Sequence, residues 1–313
     1  MAFTVLISED VEPDFKNPIS LTDLAAQKGP KADSMLSLMA GSPRFGEVIL
    51  KDYKRIIDDT YETTFYAATF LLSRFDTLIV FRGTDGSLMS WKENFNTIYR
   101  FPTQGQICAK EYLEAMIGTC RNPFMRFFVA GHSKGGNLAL YASVYCDSKV
   151  KRKITHAFLY DAPGFLQDIS EEPSFTEVKE RITAYVPEGC VIGKLLIQPC
   201  ELNAIEATGK GVYQHDTYNW IVDSEGLVSA AGTNDFSERL SSKVNDWIRH
   251  IPMSERQKVV NELFDVFKKN GILHLEDLIH IDLKHLLGVL MSATTLSSEN
   301  RSLLMIIFRE LRS

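Results

Sequence analysis

Phe127-Phe128-Val129-Ala130-Gly131-His132-Ser133-Lys134-Gly135-Gly136 decides the fold. A short apolar run ends in a glycine-flanked serine, and a helix-forming segment, Asn137 to Cys146, follows. The centre of the stretch has the form G-x-S-x-G. That pattern recurs by chance, so its weight comes from the strand before it and the helix after it. In that setting it reads as a nucleophile elbow. A sharp turn holds Ser133 in a strained backbone conformation, and Gly131 and Gly135 remove side chains that would collide across it. The turn presents the Ser133 hydroxyl at a helix N-terminus, where the backbone N–H of Lys134 can point at a developing oxyanion. A phosphate-binding loop is the competing reading. No G-x-G-x-x-G is present, however, and Lys134 stands in the wrong register for G-x-x-x-x-G-K-[ST].

Working outward, residues 63–72 and 75–81 are rich in β-branched and aromatic side chains and predict a hairpin around Ser73-Arg74. The second segment ends almost continuously apolar, as in a strand buried on both faces. Residues 105–120 place Ile107, Tyr112, Leu113, Met116 and Ile117 on one helical face. Ile154 to Tyr160 and Arg181 to Val186 read as further strands. Alternating strands and helices predict an α/β fold with a mostly parallel central sheet. Near the start, Ser20 is a candidate N-cap, with Asp23 in the first turn and Lys28-Gly29-Pro30 as the stop. Past residue 236 the pattern is helical: Leu240 to Ile251, Val259 to Lys269, Leu283 to Met291 and Leu303 to Leu311. The expected division is residues 1–235 as an α/β domain, clearest over 60–225, and 236–313 as a helical C-terminal extension or cap.

Composition narrows the function. A chain of 313 residues with 45% hydrophobic and 24% charged residues is globular rather than disordered. A net charge of −6 gives no basic surplus, so nucleic acid is not the expected partner. The 5 cysteines are odd in number and form no C-x-x-C pair, which argues against zinc-ribbon and thioredoxin chemistry and for a reduced compartment. The N-terminus lacks the basic start and long apolar run of a signal peptide, and no apolar stretch reaches about 18 residues. Cytoplasmic localisation is the resulting expectation.

A serine nucleophile needs a base and an acid to orient it. His132 adjoins the serine, His156 falls inside a strand, and His250, His274, His280 and His285 lie in the helical tail. His215, in the loop Tyr213-Gln214-His215-Asp216, is the best candidate by elimination and position. Two carboxylates compete for the third place. Asp161 closes the strand Ala157-Phe158-Leu159-Tyr160, and Glu188 follows Ala184-Tyr185-Val186-Pro187. Either gives the order serine, acid, histidine.

Two motifs in order resemble the class 3 lipase group of α/β-hydrolases. One is Phe81-Arg82-Gly83-Thr84 with Trp91 and Glu93-Asn94-Phe95 beyond it. The other is the elbow, where that group usually has Gly-His-Ser-Leu-Gly-Gly and this chain has Lys134. The resemblance implies an α/β-hydrolase fold, with Thr84 and the Lys134 backbone N–H as the oxyanion hole. The group's acid lies in a segment similar to Asp-Ile-Val-Pro. The comparable stretch here, Pro187-Glu188-Gly189-Cys190-Val191, sets Cys190 nearest that aspartate, which adds weight to Asp161. No apolar lid helix precedes Trp91. The chain is most similar to an intracellular bacterial branch of the group with a helical C-terminal extension.

The expected activity is that of a serine hydrolase, a carboxylesterase or lipase-like enzyme, acting on a small-molecule or lipid acyl ester without cofactor or metal. Acyl transfer or thioester hydrolysis by the same site, and a non-catalytic scaffold on a hydrolase fold, are the alternatives. The basic run Lys149-Val150-Lys151-Arg152-Lys153 suits a solvated helix end better than peripheral membrane contact.

Overall fold

The computed structural model describes residues 1–6, 17–28, 34–274 and Arg301. Among the described residues eight strands form one sheet in chain order: β1 (Ile19–Ser20), β2 (Ile49–Asp58), β3 (Thr63–Leu71), β4 (Asp76–Phe81), β5 (Arg126–His132), β6 (Ile154–Tyr160), β7 (Ile182–Pro187) and β8 (Leu202–Ile205). Pairings from β1 to β4 are antiparallel, and those from β4 to β8 are parallel. Among the described residues the α-helices are α1 (Ala2–Leu6), α2 (Leu21–Lys28), α3 (Ser34–Ala40), α4 (Leu88–Asn96), α5 (Gln104–Gly118), α6 (Lys134–Tyr145), α7 (Ser148–Lys151), α8 (Pro173–Thr176), α9 (Asp235–His250) and α10 (Met253–Lys269). This is the expected α/β architecture with a mostly parallel sheet.

Period-two alternation explains why β4 reads as unbroken apolar sequence. Ile79 and Phe81 pack on one face of the sheet with Tyr112 and Leu113 of α5 and Leu138 of α6. Leu78 and Val80 pack on the other, with Phe3 of α1, Leu21 and Leu24 of α2 and Leu36 of α3. Both faces are therefore core, and each large side chain so buried stabilises the fold by roughly 1.5–3 kcal/mol. The β3–β4 hairpin turns through residues 72–75, where the Leu72 N–H donates to the Asp76 carbonyl (2.9 Å). Ser20 caps α2 as its sequence suggests: its Oγ accepts from the Asp23 N–H at 3.0 Å.

Parallel pairing aligns the strand ends. Phe81 sits beside Gly131, and Gly131 beside Leu159. His132 sits beside Tyr160, and Tyr160 beside Tyr185. Residues immediately after β4, β5, β6 and β7 therefore emerge along one edge, where open α/β sheets hold their ligands. Thr84, Ser133, Asp161 and Glu188 all lie just past these ends.

Helices α9 and α10 pack back on the sheet domain. Asn234 caps α9, its Oδ1 accepting from the Ser237 N–H at 3.0 Å. Phe264 of α10 packs edge-on to Phe95 of α4, with ring centroids 5.3 Å apart. Arg256 donates to the Ile98 carbonyl at 2.8 Å. The helices expected at Leu283 to Met291 and Leu303 to Leu311 lie outside the described residues. The basic run serves helix ends: Lys153 Nζ donates to the Cys120 carbonyl (3.0 Å) beyond α5, and Lys151 pairs with Glu177 (3.1 Å). No helix among the described residues is long and apolar enough to cross a membrane.

Candidate active site

Ser133 joins β5 to α6 at φ 56° and ψ −127°. A non-glycine residue at positive φ costs on the order of 1–3 kcal/mol and persists only where its surroundings fix it. The surroundings here are glycines. A Cβ on Gly131 would lie 2.0 Å from the Gly135 carbonyl oxygen, and one on Gly135 would lie 2.1 Å from that of Phe81. The Ser133 N–H donates to the Tyr160 carbonyl at 2.9 Å, which ties the strained turn to β6.

Ser133 Oγ lies 2.9 Å from His215 Nε2. His215 Nδ1 lies 2.6 Å from Asp161 Oδ2. A carboxylate can only accept, so Nδ1 carries the proton and Nε2 is free to accept from the serine hydroxyl. Asp161 is fully buried, and its other oxygen accepts from the Gly193 N–H at 2.8 Å. Its own backbone holds φ 45°, which turns the carboxylate from the end of β6 towards the histidine loop.

That loop is pinned from several sides. The Gly189 N–H donates to Gln214 Oε1 at 2.6 Å, and Trp220 Nε1 donates to the Gln214 carbonyl at 2.7 Å. His132 Nε2 lies 2.9 Å from the His215 carbonyl, to which it can only donate. The imidazole of His132 thereby supports the loop that carries His215.

Thr84 lines the same cavity as Ser133, and its Oγ1 accepts from Asn94 Nδ2 at 2.6 Å. A hydroxyl with an acceptor position so occupied has its own hydrogen left to give. The Lys134 N–H stands at the first turn of α6. A cavity of about 620 Å³ opens beside Ser133 and His215. Its walls include Trp91, Phe95 and Ile98 on one side and Leu240, Val244 and Trp247 of α9 on another. Helix α9 thus supplies an apolar wall of the cavity beside the serine.

A model of the Mbeg1-like family matches residues 39–265. The chain belongs to the Mbeg1-like family. The match carries through α9 and most of α10, so it spans the cavity wall as well as the elbow. A solved structure described as a crystal structure of M37 lipase is similar at 14% identity with a TM-score of 0.42. The similarity covers 60% of this chain and 66% of the other, just under two thirds of its length. No curated protein matches the chain.

In this Mbeg1-like chain the carboxylate brought to the histidine is that of Asp161, and Glu188 corrects to a different place. Glu188 sits at the end of β7 with its N–H on the Ile205 carbonyl (3.0 Å) and its own carbonyl accepting from the Asn234 N–H (2.7 Å). Its backbone joins β8 to the start of α9. Cys190 is the nearer neighbour, its Sγ 4.0 Å from His215 Nδ1. Burial, reinforced by the adjacent Asp161 carboxylate, pushes that thiol well above its usual range, so it stays protonated. Asp161, Cys190 and His215 could together offer three ligand atoms to a metal. The 2.6 Å Nδ1–Oδ2 hydrogen bond fills that space instead. Sequence reasoning missed the Lys134 side chain altogether: it turns away from the cavity into a buried ion pair with Glu93, Nζ to Oε2 2.8 Å.

His132 makes stability depend on pH. Burial, with the neighbouring His215, pushes its imidazole down to about 3. The unfolded side chain titrates near 6.5, roughly. On acidification the unfolded chain therefore binds this proton first. The stability is complete above about pH 6.5 and is lost as pH falls towards the folded value. Between pH 6.5 and 4 the loss from this group amounts to roughly 3 kcal/mol. Urea unfolding followed by tryptophan fluorescence should show the midpoint falling over this range. His132→Gln, which keeps a donor for the His215 carbonyl, should flatten the slope; an unchanged slope would contradict the assignment.

Proposed function

We propose that this chain is a serine hydrolase that cleaves an acyl ester through an acyl-enzyme. The observation that carries the reading is the continuous chain from Ser133 Oγ to His215 (2.9 Å) to buried Asp161 (2.6 Å). Ser133 attacks the carbonyl carbon while His215 Nε2 takes its proton. Asp161 holds the ring and stabilises the imidazolium. The carbonyl oxygen becomes an oxyanion facing the Thr84 hydroxyl and the Lys134 N–H. His215 then gives the proton to the leaving alcohol. Water, deprotonated by the same nitrogen, releases the acid and restores the serine. The apolar walls supplied by α4 and α9 suit the acyl side of the ester.

Incubation with a p-nitrophenyl ester and rapid acid quench should yield Ser133 carrying the acyl mass, read by peptide mass spectrometry. Steady nitrophenol release without acylation at any residue would contradict the mechanism. Thr84→Val keeps the shape and removes the hydroxyl. It should lower kcat by about 10²- to 10³-fold with little change in KM, as loss of an oxyanion donor does.

A further inference from the structure

Lys134 holds two roles that point in opposite directions. Its N–H belongs to the elbow, while its side chain runs away from the cavity and is 6% exposed. The ammonium donates to Glu93 Oε2 (2.8 Å), the Thr64 carbonyl (2.7 Å) and Thr64 Oγ1 (2.9 Å), with Ser90 Oγ at 3.2 Å. Glu93 Oε2 also accepts from the Thr64 N–H at 3.0 Å. Glu93 precedes Asn94, the residue that donates to Thr84 Oγ1 at 2.6 Å. The two oxyanion donors are thus tied to consecutive residues of one helix, α4. A second tie runs beside them: the Asp85 N–H, next to Thr84, reaches Ser90 Oγ on the same helix at 3.4 Å.

Burying an ion pair is an expensive way to fill space. Desolvation of both charges offsets most of their attraction, and an apolar residue of similar size often serves stability as well or better. Glu93 Oε1 has no hydrogen-bond partner, and a Cβ on Gly105 would approach it to 2.4 Å. Such a pair is better explained by geometry than by stability. A charge pair with fixed hydrogen-bond directions sets a distance that an apolar contact leaves loose.

We propose that Lys134 and Glu93 are positioning residues whose buried pair sets the spacing between the Thr84 and Lys134 oxyanion donors. The inference rests on the hydrolase reading of the site. A tetrahedral oxyanion needs both donors at about 2.7–3.1 Å, whereas a ground-state carbonyl tolerates looser placement. Loss of the pair should therefore cost kcat rather than KM.

The test uses Lys134→Met, Glu93→Gln and the double variant. For each, kcat and KM are measured on an aryl ester, and affinity is measured for an aryl trifluoromethyl ketone, which forms a hemiketal oxyanion on the serine. Each single variant should lose about 10- to 100-fold in kcat with KM within about twofold, the scale of a small misplacement at a reacting centre. Ketone affinity should fall in step with kcat. The double variant should be no worse than the worse single one, because the residues act as a unit. It leaves no unpaired buried charge, so it carries the test if Lys134→Met does not fold.

Folded variants with wild-type kcat and ketone affinity would overturn the proposal. So would a double variant that fails to fold, since that assigns the pair to stability. A wild type that neither turns over ester nor binds the ketone at Ser133 overturns the hydrolase reading instead.

Discussion

Ser133→Ala should lower turnover of short-chain aryl esters by about 10⁴- to 10⁶-fold while leaving the protein folded. The size follows from what is removed. Without the hydroxyl there is no nucleophile to acylate, and His215 can only help water attack a substrate held in the same cavity. The fold should survive because Ser133 is held by its backbone. Its N–H pairs with Tyr160, its carbonyl accepts from the Gly136 N–H at 3.0 Å, and alanine meets the same positive φ that serine does. Circular dichroism and the thermal midpoint should match the wild type within a few degrees. Activity within tenfold of wild type would sink the nucleophile assignment.

Asp161→Asn should cost nearly as much, about 10⁴-fold in kcat. The side chain keeps its shape, but asparagine can offer an N–H where the carboxylate only accepted. The imidazole then favours the tautomer with Nδ1 as acceptor and Nε2 protonated, which cannot take the serine proton. The developing imidazolium also loses its counter-charge. Glu188→Gln is the paired control and should stay within about threefold, because the ring nitrogen facing away from Ser133 is bonded to Asp161. Rates measured for the two variants on one ester decide between the carboxylates. A large loss in Glu188→Gln with Asp161→Asn near wild type would reverse the assignment.

The elbow was legible because it is local. Strand, strained serine and helix occupy consecutive positions, and each glycine answers to a collision a few residues away. His215 was legible by exclusion, as a loop histidine placed after the parallel strands. The acid was not, because Asp161 and Glu188 occupy equivalent places one strand apart. Only the φ of 45° at Asp161 and the course of the 211–215 turn decide which one reaches the ring. Strand β2 escaped notice because Lys51, Asp52, Lys54 and Arg55 break its apolar signal and much of the strand is exposed. The amphipathic pattern of α9 announced a buried face without saying that the face lines a cavity. The Lys134–Glu93 pair joins residues 41 positions apart, and no periodicity links them.

One measurement tests the central claim most directly: labelling of the folded chain with a fluorophosphonate, followed by peptide mapping. Such reagents phosphonylate a serine only where a base and an oxyanion hole activate it. The expected result is a single adduct on the peptide that carries Ser133, with labelling slowed by several orders of magnitude in Asp161→Asn. No adduct on the folded wild type, or an adduct at another residue with Ser133 unmodified, would contradict the account.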